Sequence, residues 1–244
     1  MAVGKGWEGV VLKLMRGKDF TFTVTGAEEV TEHVRRVRFT DGGLLAALGA
    51  SAHPTMWVRA WFGGGGRPHQ RAYTLVDPDP AAGTFAFEFV LHDGLASRWA
   101  LGARPGDTLE ATVQGTGFDA PVPAPQRLLV IGDPASLPAI NSLLDAYPQT
   151  PATVWFETQH TSDAGLPVRA GAAPRDVRRV PRGGTALADR VRAELPELLG
   201  PDPAAAYVWL ACDTATTRAL TAYLRKDLGL PKQRVHAQGY WRPA

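Results

Sequence analysis

The chain has 244 residues, 45% of them hydrophobic, and its 26 basic and 24 acidic side chains leave a net charge of +2. That length and apolar content can build a sizeable core in one large or two modest domains, and the near-balanced charge argues against a whole-molecule footprint for nucleic acid. A single cysteine, Cys212, excludes an intramolecular disulfide, a thiolate-held iron–sulfur cluster and a CxxC zinc site within this chain.

The opening MAVGKGWEGVVLKLMRGKDF holds no apolar run of signal-peptide length before Lys13 and Arg16, and no later stretch approaches a membrane span. A soluble cytoplasmic protein with no membrane insertion is expected. The first half then reads as β-rich: FTFTVT at 20–25, VRRVRFT at 34–40, TMWVRAWF at 55–62, RAYTLV at 71–76, TFAFEFVLH at 84–92 and TLEATV at 108–113 are separated by glycine, proline or aspartate turns. Six strands at this spacing predict a barrel or sandwich. In TFAFEFVLH, Phe85, Phe87, Phe89 and Leu91 share one face, which is expected to be buried. LASRWALGA, before the last strand, is expected to be helical.

Beyond DAPVPAPQ at 119–126, a three-proline linker, the period changes. RLLVIG at 127–132, ATVWFE at 152–157 and AYVWLA at 206–211 are short apolar runs of the buried-strand type. SLPAINSLLDAY, ALADRVRAELPELL and TATTRALTAYLRKDLG lie between and after them as helical segments. Strand–helix alternation predicts a mainly parallel sheet. The arginine-rich PRDVRRVPRGG at 174–184 reads as a solvated loop. The predicted domains are 18–120 and 127–244.

Two constellations carry chemistry. In HQRAYTLV, which follows the loop GGGGRP, a strand would place Arg71 and Tyr73 on one face and Thr74 on the other. An arginine can hold phosphate, a tyrosine ring can stack on a flat heterocycle and a threonine hydroxyl can bond a ring nitrogen, which are the needs of a flavin dinucleotide. The same letters also fit an ordinary strand with one exposed arginine. In HDGLASRWA at 92–100, Gly94 permits close approach and the amides of Ala96, Ser97 and Arg98 open a helix whose unpaired N–H groups suit a pyrophosphate. Trp99 reads as core, and His92 fits either role. No GxGxxG fingerprint is present.

Taken in order, HQRAYTLVDPDP, FEFVLHDGLASRWA, PGDTLEAT, VIGDPASLPAI and the terminal GYWRPA resemble the siderophore-interacting protein family, flavin-dependent ferric-siderophore reductases of the ferredoxin-reductase-like superfamily. The likeness runs from about residue 20 to the end. It implies a six-stranded antiparallel barrel holding FAD at 18–120, an α/β nucleotide-binding domain at 127–244, and reduction of Fe(III) in a chelate so that the weaker Fe(II) complex releases its metal. Chemistry would rest on the flavin, with no catalytic side chain and no metal held by the protein. The resemblance carries Arg71, Ala72, Tyr73, Thr74, His92, Gly94, Ala96 and Ser97 onto the FAD site, with Trp241 as an aromatic that either covers the flavin or closes the core.

For NADH or NADPH the matching positions are Gly132, Asp133, Ser136, Pro138, Cys212 and Asp213. Two departures stand here. The family's GDETALPAI has become GDPASLPAI, with Ala135 in place of threonine and Ser136 offering a hydroxyl one position later. Its AGE has become ACD, so Cys212 adds a side chain where a nicotinamide needs room. Glu157 favours a free ribose 2′-hydroxyl, whereas Arg178, Arg179 and Arg182 favour a 2′-phosphate, and the choice stays open. Reduced ferredoxin is a further candidate donor. Arg38, Arg59 and Arg242 are the candidate walls for an anionic ferric siderophore or other ferric chelate. The alternatives are a non-catalytic flavin- or siderophore-binding protein and a flavin reductase acting on another small molecule.

Overall fold

The computed structural model describes residues 18–49, 52–63, 69–114 and 116–242. Expectations placed on residues 1–17, on the glycine loop at 64–68 and on Pro243 and Ala244 lie outside the described residues. The chain divides between Phe118 and Asp119 into two compact units. No helix among the described residues is long and apolar enough to cross a membrane.

The first unit is an antiparallel sheet of β1 (Lys18–Thr31), β2 (Val34–Thr40), β3 (Trp57–Phe62), β4 (His69–Thr74), β5 (Val76–Asp79), β6 (Thr84–Val90) and β7 (Thr108–Val113). Its order is β4-β3-β7-β1-β2-β6-β5. Seven strands stand where six are expected because RAYTLV breaks at Leu75. The Leu75 amide bonds to Met56 O at 2.9 Å, and Val76 leaves β4's partner to pair with Ala86 of β6. The sheet curls: Tyr73 of β4 packs on Phe87 and Phe89 of β6, although several strands separate the two in the order.

Alternation builds the core of this unit. Phe85, Phe87 and Phe89 of β6 point inward with Phe22 and Phe39, each 3% exposed or less, and their rings meet edge-on, tilted or stacked. Full burial of one such ring contributes about 1.5–3 kcal/mol. Between them Glu88 faces outward and takes Arg36 at 2.6 Å. Two short helices, α1 (Leu44–Leu48) and α2 (Leu95–Gly102), complete the unit. The second of them lies where LASRWALGA predicts it.

The second unit is a wholly parallel sheet of β8 (Arg127–Gly132), β9 (Ala152–Thr158), β10 (Arg175–Pro181), β11 (Ala206–Asp213) and β12 (Val235–Trp241), in the order β10-β9-β8-β11-β12. Its helices are α3 (Leu137–Ala146), α4 (Ala186–Leu199) and α5 (Thr214–Ala222), the last running into a π-helical turn at Tyr223–Asp227. β8, β9 and β11 are apolar along nearly their whole length because both faces of a parallel sheet are covered.

One expectation is corrected. The segment at 174–184 contains the strand β10, paired in parallel with β9, and is not simply a loop. Its arginines are tied down within the fold. Arg175 donates to the carbonyls of Thr150, Tyr147 and Leu144, and Arg178 binds Asp176 and Glu194. Arg179 donates to Ala164 O and Leu166 O. A charge run can sit in a sheet edge when each guanidinium has such a partner and its aliphatic stem lies along apolar surface.

Candidate functional site

In the first unit the RAYT segment is β4, and its register on β3 fixes which way each side chain points. Tyr73 lies opposite Val58 and Arg71 opposite Ala60, so these two share the inner face, while Ala72 and Thr74 share the other with Arg59 and Trp57. Tyr73 packs its ring 4.5 Å from that of Phe89 and 5.3 Å from that of Phe87. Burial pushes its phenol well above the ordinary value, against a smaller pull from Arg71, so the ring carries no charge at neutral pH. Thr74 is buried. Arg71 is exposed, donates to Gln70 O at 2.7 Å and forms no ion pair among the described residues.

The second segment adjoins this one through aromatic contacts. Phe89, which touches Tyr73, also meets Trp99 of α2 at 5.9 Å. Trp99 is therefore packing, and it anchors the helix whose first turn follows His92. That helix begins without a side-chain cap, since its N-cap is Gly94. A Cβ at Gly94 would lie 2.3 Å from the ring of the exposed His92, so a side chain there requires that ring to move aside. Ser97 is buried, and its hydroxyl accepts from the His92 amide at 3.1 Å and bonds Val90 O, tying the helix start to the end of β6. Ala96 is buried beside it. The Arg98 amide is taken by Gly94 O at 3.0 Å, so the uncapped start of α2 offers the earlier amides of its first turn, while Tyr73, joined to the helix through Phe89 and Trp99, offers a neutral aromatic ring. Such groups fit the pyrophosphate and ring system of a flavin dinucleotide.

In the second unit, numbering the strands by sequence, the order reads 3-2-1-4-5, which puts the topological switch point between β8 and β11. Gly132 ends β8 there. A Cβ on it would come within 2.3 Å of Ser136 Oγ and 3.0 Å of Ala211 O, so the close approach of strand, loop and helix requires glycine. Ser136 is fully buried and turns its hydroxyl inward, accepting from the Asp133 amide at 2.9 Å and donating to Asp133 O at 3.0 Å. Pro138, at the second helical position of α3, is buried.

Asp133 is 1% exposed. Its carboxylate accepts from the Ser136 amide at 3.2 Å and from the Trp241 indole at 2.6 Å. Burial pushes its carboxyl up to about 6, outweighing those two bonds and Arg182, while Glu157 adds to the rise. Arg182 lies 4.6 Å over the Trp241 ring and binds Glu157 at 2.7 Å and Gln159 at 2.5 Å. On the β11 side, Cys212 is 1% exposed, contacts Thr217 Oγ1 at 3.5 Å and has its thiol pushed up to about 12 by burial. Asp213 caps α5, accepting from the amides of Ala215 and Thr216.

Other residues singled out in the sequence fall elsewhere. Arg38 projects from the face opposite Val37 and Phe39 and pairs with Glu28 at 2.6 Å. Arg59, on the face away from Tyr73, bonds Gln70 at 3.1 Å and lies over Trp57. Arg242 is exposed next to Trp241. Gln159 was missed in the sequence, and only the pairing of β10 with β9 brings it to Arg182.

Two family models match: "Siderophore-interacting FAD-binding domain" over residues 46–114 and "Siderophore-interacting protein" over residues 125–244. The chain belongs to the siderophore-interacting protein family. It is 33% identical over 246 residues to the mycobactin import ATP-binding/permease protein IrtA of Mycolicibacterium smegmatis, covering 98% of this chain but 28% of that protein. The ferric acinetobactin reductase of Acinetobacter baumannii is 22% identical over 72% of this chain and 62% of its own length. Among solved structures, a siderophore-interacting protein from Acinetobacter baumannii superposes with a TM-score of 0.79 at 20% identity, over 93% of this chain and 92% of that one. A ferredoxin NADP+ reductase from Neisseria gonorrhoeae with bound FAD and NADP gives 0.65 at 14% identity, over 92% and 99%. These likenesses establish a ferredoxin-reductase-like fold.

Proposed function

We propose that the protein is an FAD-dependent reductase of ferric siderophores or similar anionic ferric chelates, drawing electrons from NADH or NADPH. The observation that carries the reading is the link Tyr73–Phe89–Trp99, which joins the Arg71–Tyr73 ledge to the uncapped start of α2. When bound, the flavin supplies hydride acceptance from the nicotinamide and one-electron release to Fe(III). Arg71 and the first-turn amides of α2 hold the phosphates, and Tyr73 offers an uncharged ring face. At the switch point the loop Gly132–Ser136 receives the donor nucleotide, and Arg242 attracts the anionic chelate.

Anaerobic titration of the FAD-loaded protein with each nucleotide, followed by a ferric chelate and a ferrous trap, tests this. Bleaching of the flavin, its recovery on adding chelate and trapped Fe(II) are expected. A purified protein that is colourless and refuses added FAD sinks the proposal.

The inward-turned Ser136 hydroxyl and the Cys212 side chain favour a second reading, in which the nucleotide site no longer serves. The chain would then take electrons from a reduced ferredoxin or act as a flavin- or siderophore-binding protein. Flavin bleached by dithionite but by neither nucleotide is the expected signature.

A further inference from the structure

The carboxyl ends of β8, β9 and β10 hold one guanidinium between two buried carboxylates. Arg182, just past β10, binds Glu157 Oε2 through both Nε and a terminal nitrogen at 2.7 Å, and stands 4.0 Å from Asp133. Both contacts fall on the same oxygen, which leaves Glu157 Oε1 as an acceptor. Glu157 is the penultimate residue of β9, the second strand of the 3-2-1-4-5 sheet, near the place from which an acidic side chain reaches an adenosine ribose in such folds.

From the same sequence, three arginines could be read as phosphate ligands. The structure leaves none of them uncommitted: Arg178 is held by Asp176 and Glu194, Arg179 by two backbone carbonyls, and Arg182 by Glu157 and Gln159. We infer that the donor selected is the nicotinamide nucleotide without a 2′-phosphate, NADH, and that the Glu157–Arg182 pair makes the selection; this rests on the nucleotide-site reading proposed above. A ribose 2′-hydroxyl donates to Glu157 Oε1 and leaves the pair intact. A 2′-phosphate meets two carboxylates against one cation. A phosphate that takes Glu157's place on Arg182 deprives that carboxylate, 8% exposed, of its cation.

Calorimetric titration of the FAD-loaded protein with NAD+ and with NADP+, which bind without transferring a hydride, reads the choice directly. NAD+ is expected to bind tighter by about tenfold or more, since like-charge juxtaposition and an orphaned buried carboxylate both oppose NADP+. Glu157→Gln releases Arg182 and is expected to shrink that ratio to about threefold or less, or to invert it. Equal or tighter NADP+ binding by the unmodified protein overturns the inference without needing any variant to fold, and so does a Glu157→Gln protein that keeps the full preference. Heat from neither nucleotide overturns the nicotinamide reading itself and this inference with it, whereas heat from NADP+ alone overturns only the inference.

Discussion

Trp241 donates its indole N–H to the buried carboxylate of Asp133 over 2.6 Å, bonding the end of the last strand to the loop after β8. The contact joins two of the segments that carry the family resemblance, GDPASLPAI and GYW. It also fixes Trp241 within the second unit, where Arg182 covers its ring at 4.6 Å. Both residues thereby become parts of the cluster at the carboxyl ends of β8 and β9, and their energetics can be measured.

Asp133 should give the protein a distinctive pH dependence. Its carboxyl is pushed from 3.8 up to about 6, mainly by burial. Between about pH 4 and pH 6 the folded state keeps a proton that the unfolded chain has released, so this group's stabilisation is fully present below about pH 4 and is lost as the pH rises through 6. Two units correspond to about 3 kcal/mol. Urea unfolding at several pH values should show a steeper loss in the unmodified protein than in Asp133→Ala, and parallel pH profiles would refute the assignment.

Removing Arg182 should destabilise more than an ordinary surface change. Arg182→Ala leaves Glu157 without its cation and uncovers the Trp241 ring. Loss of one partner of a buried pair costs about 3–5 kcal/mol, and because the Arg182 side chain is 31% exposed we expect less than that, about 2 kcal/mol. Thermal unfolding checks this; an unchanged midpoint would mean that solvent already screens the pair.

Tyr73 should matter to FAD as a ring and not as a phenol. Its ring packs at a tilt on Phe89 and Phe87, and its hydroxyl is held neutral by burial. Titration of apoprotein with FAD, followed by quenching of flavin fluorescence, should give affinities within about twofold for Tyr73→Phe and weaker by about tenfold or more for Tyr73→Ala. A large loss in the phenylalanine variant would assign the hydroxyl a direct bond.

Cys212 should be inert in the folded protein. It is 1% exposed and its thiol is pushed up to about 12, so almost no thiolate exists at pH 8. An aromatic disulfide reagent should label it only after denaturation. Rapid labelling of the native protein would show that the end of β11 opens.

Gly132→Ala should cost about 1–3 kcal/mol, because the new methyl would strike Ser136 Oγ at 2.3 Å and Ala211 O at 3.0 Å, and the latter is backbone. Denaturant midpoints measure it, and a neutral substitution would mean that the loop yields without loss.

Several features of this protein follow from local sequence alone. RLLVIG, ATVWFE and AYVWLA announce parallel strands because a strand covered on both faces must be apolar throughout. TFAFEFV announces a half-buried antiparallel strand because its phenylalanines alternate. The family motifs are likewise contiguous letters. What the letters do not contain is register. Whether 174–184 is loop or strand depended on carboxylates and carbonyls far away in the chain that quench its arginines, among them Glu194 and Tyr147 O. RAYTLV holds two strands because Met56 takes the Leu75 amide. The pairing of Arg182 with Glu157 and of Trp241 with Asp133 arises only when five parallel strands bring their carboxyl ends to one edge, where hydrogen bonds and charge act over a few ångströms between residues that the sequence keeps far apart.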